Sequence, residues 1–301
     1  MQRAAASTIR RALVLALDFD QTLTTTDTLH LVASTARQKH PERLGFQWFT
    51  DKYMEDYDTF KNKWNPIITK HTEEKSVSTA LLDQYLEAQR AVEEASLARL
   101  SQHAILAGTS RQEFADGGRS VQFQPDAAKV INHFLRFPEC HICVVSVNWS
   151  EDFIRGALEA NGVKVSNRLP IYCNNPEFDH KTGLSTNVIH PRLVAARDKT
   201  EVIAKVKNKI ALQHRAEPIV VYIGDSLTDL PSLLLADAGF LVGQSDSVCK
   251  WCRLLGIEFD SPRPTEGNKV LYHLHDWSKA QHIIDQLVSQ SKPKTIDKSF
   301  V

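Results

Sequence analysis

The sequence has no excess of charge of either sign. Lys and Arg total 36, Asp and Glu total 36, and the formal net charge is zero. A global basic field of the kind that gathers nucleic acid is therefore excluded. Long hydrophobic runs are also lacking. The apolar stretch nearest the N-terminus, Ala12 to Leu17, is closed by Asp18 after six residues. A membrane span needs roughly 20 apolar residues, and a secretory core about 7–15. No later stretch does better, so no membrane partner is expected. Cysteine is scarce and odd in number, five in 301 residues, which argues against a secreted disulfide framework. Cys140–Cys143 and Cys249–Cys252 have CxxC spacing. The first pair enters an apolar strand, where residues three apart point to opposite faces. Buried or half-buried free thiols are expected there, not a zinc site.

Acids are absent from the first eleven residues, which carry Arg3, Arg10 and Arg11 with Ser and Thr. That composition has a faint likeness to a mitochondrial presequence. The apolar strand begins directly after Arg11 and leaves no room for a removable leader. A frayed basic terminus and a cytoplasmic location are the expectation. No internal repeat is visible, and nothing sets an oligomeric state.

What is present reads as alternating strands and helices interrupted by one long helical stretch. Leu13 to Phe19 is a buried parallel strand. Residues 27–120 contain almost no β-branched run. Tyr53, Tyr57, Phe60 and Trp64 follow at helical spacing, one face of a helix. Leu81, Leu82, Tyr85, Leu86, Val92, Leu97 and Leu100 continue with that spacing, and Gly108 marks the expected stop. After Gly117-Gly118 the alternation returns. Helices are expected at Pro125–Phe137, Asp152–Ala160, Asp198–Gln213, Leu230–Leu235 and Val248–Leu255. Strands are expected at Cys140–Val147, Ile219–Ile223 and Gly239–Val242, with a hairpin between Asn167 and His190. This order implies an α/β fold with a parallel, Rossmann-like sheet and right-handed crossovers. The core would comprise 12–26 and 121–288, the helical insert 27–120, and a polar disordered tail 289–301.

In such a sheet, ligands bind at the carboxyl ends of the strands. The first strand ends in Asp18-Phe19-Asp20-Gln21-Thr22, the Cys140 strand in Ser146, and the Ile219 strand in Gly224-Asp225-Ser226, with Asp229 four residues after Asp225. Lys199 opens a helix. A carboxylate nucleophile can form an acyl phosphate and split ester hydrolysis into two steps. A second carboxyl can protonate the leaving oxygen and later deprotonate water. Several anions facing a phosphate require a cation, and hard oxygen ligands point to Mg²⁺. Lys199 adds positive charge against the phosphoryl group, and Ser146 can donate a hydrogen bond to it.

Together these residues resemble the haloacid dehalogenase superfamily. Its four motifs occur in order as Asp18-Phe19-Asp20-Gln21-Thr22, Val144-Val145-Ser146, Lys199, and Gly224-Asp225-Ser226-Leu227-Thr228-Asp229. The resemblance implies Asp18 as nucleophile and Asp20 as general acid and base, with Ser146 and Lys199 completing the catalytic set. It implies a metal held by Asp18, Asp225 and the Asp20 carbonyl, with Asp229 orienting the metal shell or Lys199. An Asp two residues after the nucleophile marks the phosphatases of this superfamily. The insert holds the position of a type-one helical cap, which closes over the site and selects the leaving group.

A closer resemblance is to the phosphatase domain of plant-type thiamin monophosphate phosphatases and related fungal proteins. It rests on Tyr53-Met54-Glu55-Asp56-Tyr57, Ser146-Val147-Asn148-Trp149-Ser150, Tyr222-Ile223-Gly224-Asp225-Ser226 and Trp277. The plant proteins carry a thiamin-salvage domain with no counterpart in these 301 residues, and much of the cap sequence differs. The implied ligand is a small phosphorylated metabolite, thiamin monophosphate first, with pyridoxal phosphate, a nucleoside monophosphate or a sugar phosphate as alternatives. Thr22, Asn148, Trp149, Tyr53, Glu55 and Tyr57 would contact it. The rings could stack on a heteroaromatic group with Glu55 near a cation, or the tyrosines could simply be the buried face of a cap helix. A regulatory protein that keeps the site without turnover is the reading from another class.

Overall fold

The computed structural model describes residues 11–263 and 269–290. The strands are β1 (Leu13–Leu17), β2 (Cys140–Val145), β3 (Ile171–Tyr172), β4 (Asn175–Phe178), β5 (Ser185–His190), β6 (Ile219–Gly224), β7 (Ala238–Val242), β8 (Pro262–Arg263) and β9 (Lys269–Leu274). The helices are α1 (Leu29–Arg37), α2 (Phe46–Glu73), α3 (Thr79–Gln102), α4 (Arg111–Gly118), α5 (Ala127–Leu135), α6 (Glu151–Ala160), α7 (Ala196–His214), α8 (Leu230–Leu235), α9 (Asp246–Leu254) and α10 (Trp277–Gln290).

The main sheet runs in the order β3-β2-β1-β6-β7-β9-β8. All its pairings are parallel except β8 with β9. From β1 the chain builds outward through β2 and β3 on one side, then returns to place β6, β7 and β9 on the other. The carboxyl end of β1, flanked by β2 and β6, is therefore the topological switch point, where such sheets open a crevice.

Both faces of the sheet are covered, which is why its strands read as continuous apolar runs. The two faces separate by strand alternation. Leu13, Leu15 and Leu17 join one hydrophobic cluster with α5, α6 and α10, while Val14 and Ala16 join another with α7, α8 and α9. Cys140 belongs to the first cluster and Cys143 to the second, so the strand-entry CxxC pair points to opposite faces. All five cysteines are free thiols.

The helices α1 to α4 divide between these faces. Val32, Ala33 and Ala36 of α1 and Phe114 of α4 pack into the first cluster; Phe60 and Ile68 of α2 and Leu81, Leu82, Tyr85, Leu86 and Val92 of α3 pack into the second. Tyr85 meets Trp251 of α9 with ring centroids 5.5 Å apart. α4 crosses α6 at backbone contact. A methyl built on Gly156 would lie 1.9 Å from the Ala115 carbonyl oxygen, and one on Gly118 would lie 2.0 Å from that of Phe153. Neither position has room for a side chain.

Three expectations are corrected. α3 ends at Gln102, six residues before Gly108, because Ala104 takes the left-handed turn at φ 49°. In the 167–190 segment the expected hairpin forms over 175–190, β4 and β5 pairing across the turn at Lys181-Thr182-Gly183, but β3 at its start joins the main sheet. Ser289 and Gln290 belong to α10, while the rest of the expected tail and residues 1–10 lie outside the described residues. Among the described residues, no helix is long and apolar enough to cross a membrane.

Candidate active site

The crevice at the switch point opens into a cavity of about 560 Å³. Asp18, one residue past β1, is 5% exposed. Its backbone N–H donates to the Ile223 carbonyl oxygen, which holds the strand end against β6. Lys199, in the first turn of α7, is fully buried, with Nζ 3.2 Å from Asp18 Oδ1 and 2.7 Å from Asp229 Oδ1. Asp225, directly after β6, accepts a hydrogen bond from the Thr22 hydroxyl at 2.9 Å.

Asp229 gives both oxygens to protein donors. Oδ1 accepts from Lys199 and from the Tyr222 hydroxyl at 2.6 Å, and Oδ2 accepts from the Ser226 hydroxyl and the Ser226 and Asp225 amides. Gly224 is required by this packing, since a Cβ there would lie 2.6 Å from Asp229 Cγ.

One ammonium between two buried carboxylates cannot neutralise both. Burial pushes Asp229 up, but Lys199, by charge and hydrogen bond, together with Ser226 and Tyr222, holds its carboxyl below the usual range. Burial and the Asp229 charge push Asp18 well above that range, with Lys199 opposing. Asp225 is pushed up to about 7, chiefly by burial and then by Asp229. Burial lowers the Lys199 ammonium, but Asp18 and Asp229 outweigh it and raise it overall. The site is short of positive charge.

Asp18 Oδ1 is buried, and its ion-pair contact with Lys199 is its one protein partner among the described residues. Ligand oxygens of Asp18, Asp225 and Asp229 lie within 4.8 Å of one another. A buried carboxylate oxygen held by one ion pair alone, beside a second carboxylate, is a hard oxygen donor set that suits a divalent cation such as Mg²⁺. Among the described residues this is the one cluster of three or more potential ligands.

Asp20 faces the same cavity from a different support. Its Oδ1 accepts from the Thr28 amide at 2.8 Å and from the Thr28 hydroxyl, and its Oδ2 accepts from the Asn148 side-chain amide at 3.0 Å. Burial and the neighbouring Asp27 push its carboxyl up to about 6, against those hydrogen bonds. A carboxyl at that value is suited to donate and retrieve a proton near neutrality.

The structure separates the other expected residues into two groups. Trp149, Tyr53 and Tyr57 line the cavity. Thr22, Ser146 and Asn148 are buried behind its wall. The Ser146 hydroxyl accepts the Asn148 amide at 3.1 Å, which leaves its own proton free to donate. Asn148 gives its side-chain amide to Asp20 and the Thr28 hydroxyl and accepts from the Ser150 amide. It therefore braces Asp20 instead of meeting a ligand.

Glu55 is a correction. It lies on the exposed side of α2, paired with Lys52 at 2.7 Å, and does not reach the cavity. Tyr53 and Tyr57 are four apart and share a face, their rings stacked at 5.9 Å; a residue midway between them projects to the far side. Of the carboxylates on α2 and α3, the one that faces the cavity is Glu93. Its Oε1 accepts from the Tyr53 hydroxyl at 2.8 Å and from the Gln89 amide at 3.0 Å. Sequence reasoning missed Gln89, Glu93, Phe46 and Phe49, all of which line the cavity. A signal for two of them was present: Gln89 and Glu93 extend the Leu82–Leu86 stripe at helical spacing, polar residues on an apolar face.

No family model matches the chain. A CTO1 family protein of Schizosaccharomyces pombe is 27% identical over 88% of this chain and 97% of its own length. The Bifunctional TH2 protein, mitochondrial, of Arabidopsis thaliana is 26% identical over 82% of this chain. The match spans only 42% of that plant protein. Among solved structures, cytosolic 5'-nucleotidase IIIB bound to cytidine superposes with a TM-score of 0.51 at 13% identity, covering 92% of this chain and 86% of that one. Substrate-bound phosphoserine phosphatase superposes with a TM-score of 0.50 at 13% identity, covering 91% and 98%. The sheet order, the switch-point crevice and these superpositions agree: the chain has the fold of the haloacid dehalogenase-type phosphatases.

Proposed function

We propose that this chain is a phosphoric monoester hydrolase that works through an aspartyl phosphate on Asp18 and takes a small phosphorylated metabolite, thiamin monophosphate first. The observation that carries this reading is the Asp18 carboxylate itself, buried at the switch point with Lys199 Nζ 3.2 Å from its Oδ1. Lys199 neutralises the approaching phosphoryl group, and Ser146, directly after β2, supports the wall by accepting the Asn148 backbone amide. Asp18 attacks phosphorus, and the P–O bond to the leaving group breaks as Asp20 passes its proton to the departing oxygen. Asp20, now a carboxylate, takes a proton from water, which attacks the phosphoryl group and frees Asp18. Asp229 holds Lys199 in place. Asp18, Asp225 and the Asp20 carbonyl would hold Mg²⁺, which supplies the missing positive charge.

The cavity wall of α2 and α3 serves as the cap in this reading, with residues 27–120 as the inserted unit. Thiamin monophosphate follows from the sequence resemblance described above, and the aromatic wall of Phe46, Tyr53, Tyr57 and Trp149 suits a ring-bearing leaving group. A cytoplasmic location belongs to the same proposal. Hydrolysis of p-nitrophenyl phosphate is expected with Mg²⁺, lost on chelation with EDTA and restored by adding Mg²⁺ back. Activity that survives thorough chelation would overturn the metal assignment, and no hydrolysis under any condition would overturn the enzyme.

A further inference from the structure

The cavity has a charge imbalance beyond the Asp18 cluster. Glu93 of α3 and Asp27, a neighbour of Asp20, both line it, and Lys199, already shared by Asp18 and Asp229, is the one Lys or Arg among the lining residues. Glu93 makes no ion pair among the described residues. Gln89 and Tyr53 both donate to Oε1, which fixes the carboxylate plane and leaves Oε2 with no protein donor among the described residues. Burial raises the Glu93 carboxyl, against those two hydrogen bonds. Tyr53, stacked on Tyr57, touches it, and the same cavity is lined by Phe46 packed against Trp149 at 6.1 Å.

Resting on the phosphatase reading, we infer that Glu93 is the specificity-determining residue of this site and that it selects esters whose leaving group is a flat heteroaromatic ring carrying a positive charge or ring-amine donors. A half-buried carboxylate oxygen facing the cavity without a protein donor gains from a cation or an N–H donor and loses against another anion. The aromatic walls favour a flat ring, and a cationic one more. A leaving group carrying a carboxylate or a second phosphate would meet Glu93 and Asp27 with no basic side chain to receive it. The preference is thus for cationic or amine-bearing rings, against neutral rings and against aliphatic anions.

The test compares kcat/KM for thiamin monophosphate, p-nitrophenyl phosphate and O-phosphoserine in the wild-type chain and in Glu93→Gln. The wild type should prefer the cationic ring, and O-phosphoserine should be the poorest. In Glu93→Gln the ratio of the first substrate to the second should fall by about tenfold or more. Tyr53→Phe keeps the ring but removes one donor to Oε1, and should lower the same ratio by a smaller factor. It also keeps the test open if Glu93→Gln does not fold. Equal losses on both substrates, or a wild-type preference for O-phosphoserine, would overturn the inference while leaving the phosphatase intact. Failure of the wild type to hydrolyse any of the three would overturn the phosphatase reading instead.

Discussion

The two ends of the cavity are built on opposite plans. At the Asp18 end, each polar side chain lies shortly after a strand end or in the first turn of α7 and is braced by others: Asp229 by five protein donors, Asp20 by Thr28 and Asn148, Asp225 by Thr22. At the Glu93 end, the wall is two long helices contributing rings and one fixed carboxylate. In the proposed reaction the first end holds charge where bonds change, and the braces keep it from relaxing, while the second presents a surface that touches only what departs. Chemistry and selectivity should therefore be separable by substitution.

The largest effect is expected from Asp18→Asn. An amide cannot accept the phosphoryl group, so turnover should fall by a factor on the order of 10⁴ or more with every substrate alike, while the thermal unfolding midpoint stays near that of the wild type or rises. Near-normal hydrolysis by a homogeneous preparation would remove the basis of the comparison.

Asp20→Asn should come next, with a loss of about 10²–10⁴ that is larger for poor leaving groups than for nitrophenolate. The raised Asp20 carboxyl gives the sign of the pH effect. The acid form is present below its pKa, so hydrolysis of a poor leaving group should fall as pH rises through it. That limb should vanish in Asp20→Asn. A uniform loss across leaving groups would assign Asp20 to structure alone.

The smallest effects sharpen the contrast at the other end. Tyr57→Ala should cost about 1–3 kcal/mol in kcat/KM for the preferred ring-bearing substrate and much less for a small aryl phosphate. Glu55→Gln, one helical face away, should shift both substrates and stability by no more than about 0.5 kcal/mol. If Glu55→Gln altered selectivity and Tyr57→Ala did not, the orientation of α2 described here would be wrong.

The same division governed what could be read from the sequence. The Asp18 end was legible because its residues fall in short contiguous motifs at strand ends, where position along the chain and position in space coincide. The parallel sheet was legible because both its faces are covered, which leaves uninterrupted apolar runs such as Ile219–Gly224. The Glu93 end was read less well. Its residues come from two helices some 40 positions apart, as in the Tyr53–Glu93 contact, and helical phase decides which of several nearby acids faces inward. Glu55 lay in a motif-like segment and faced out, whereas Glu93 lay in none and faced in. β9 went unread for a related reason: only Leu271 and Leu274 of its six residues are buried, so neither alternation nor a continuous run announces it.

The crossing of α4 and α6 has a bearing on how such proteins diverge. Gly118 and Gly156 each need the other helix's main chain to stay where it is, so neither site can accept a larger residue alone, and enlarging both adds one clash to the other instead of relieving it. The pair must be inherited together. An engineer grafting a foreign helical insert onto this core, to change its substrate, should therefore keep residues 111–118 and α6 from the same parent and make the joins within 38–45 and 103–110.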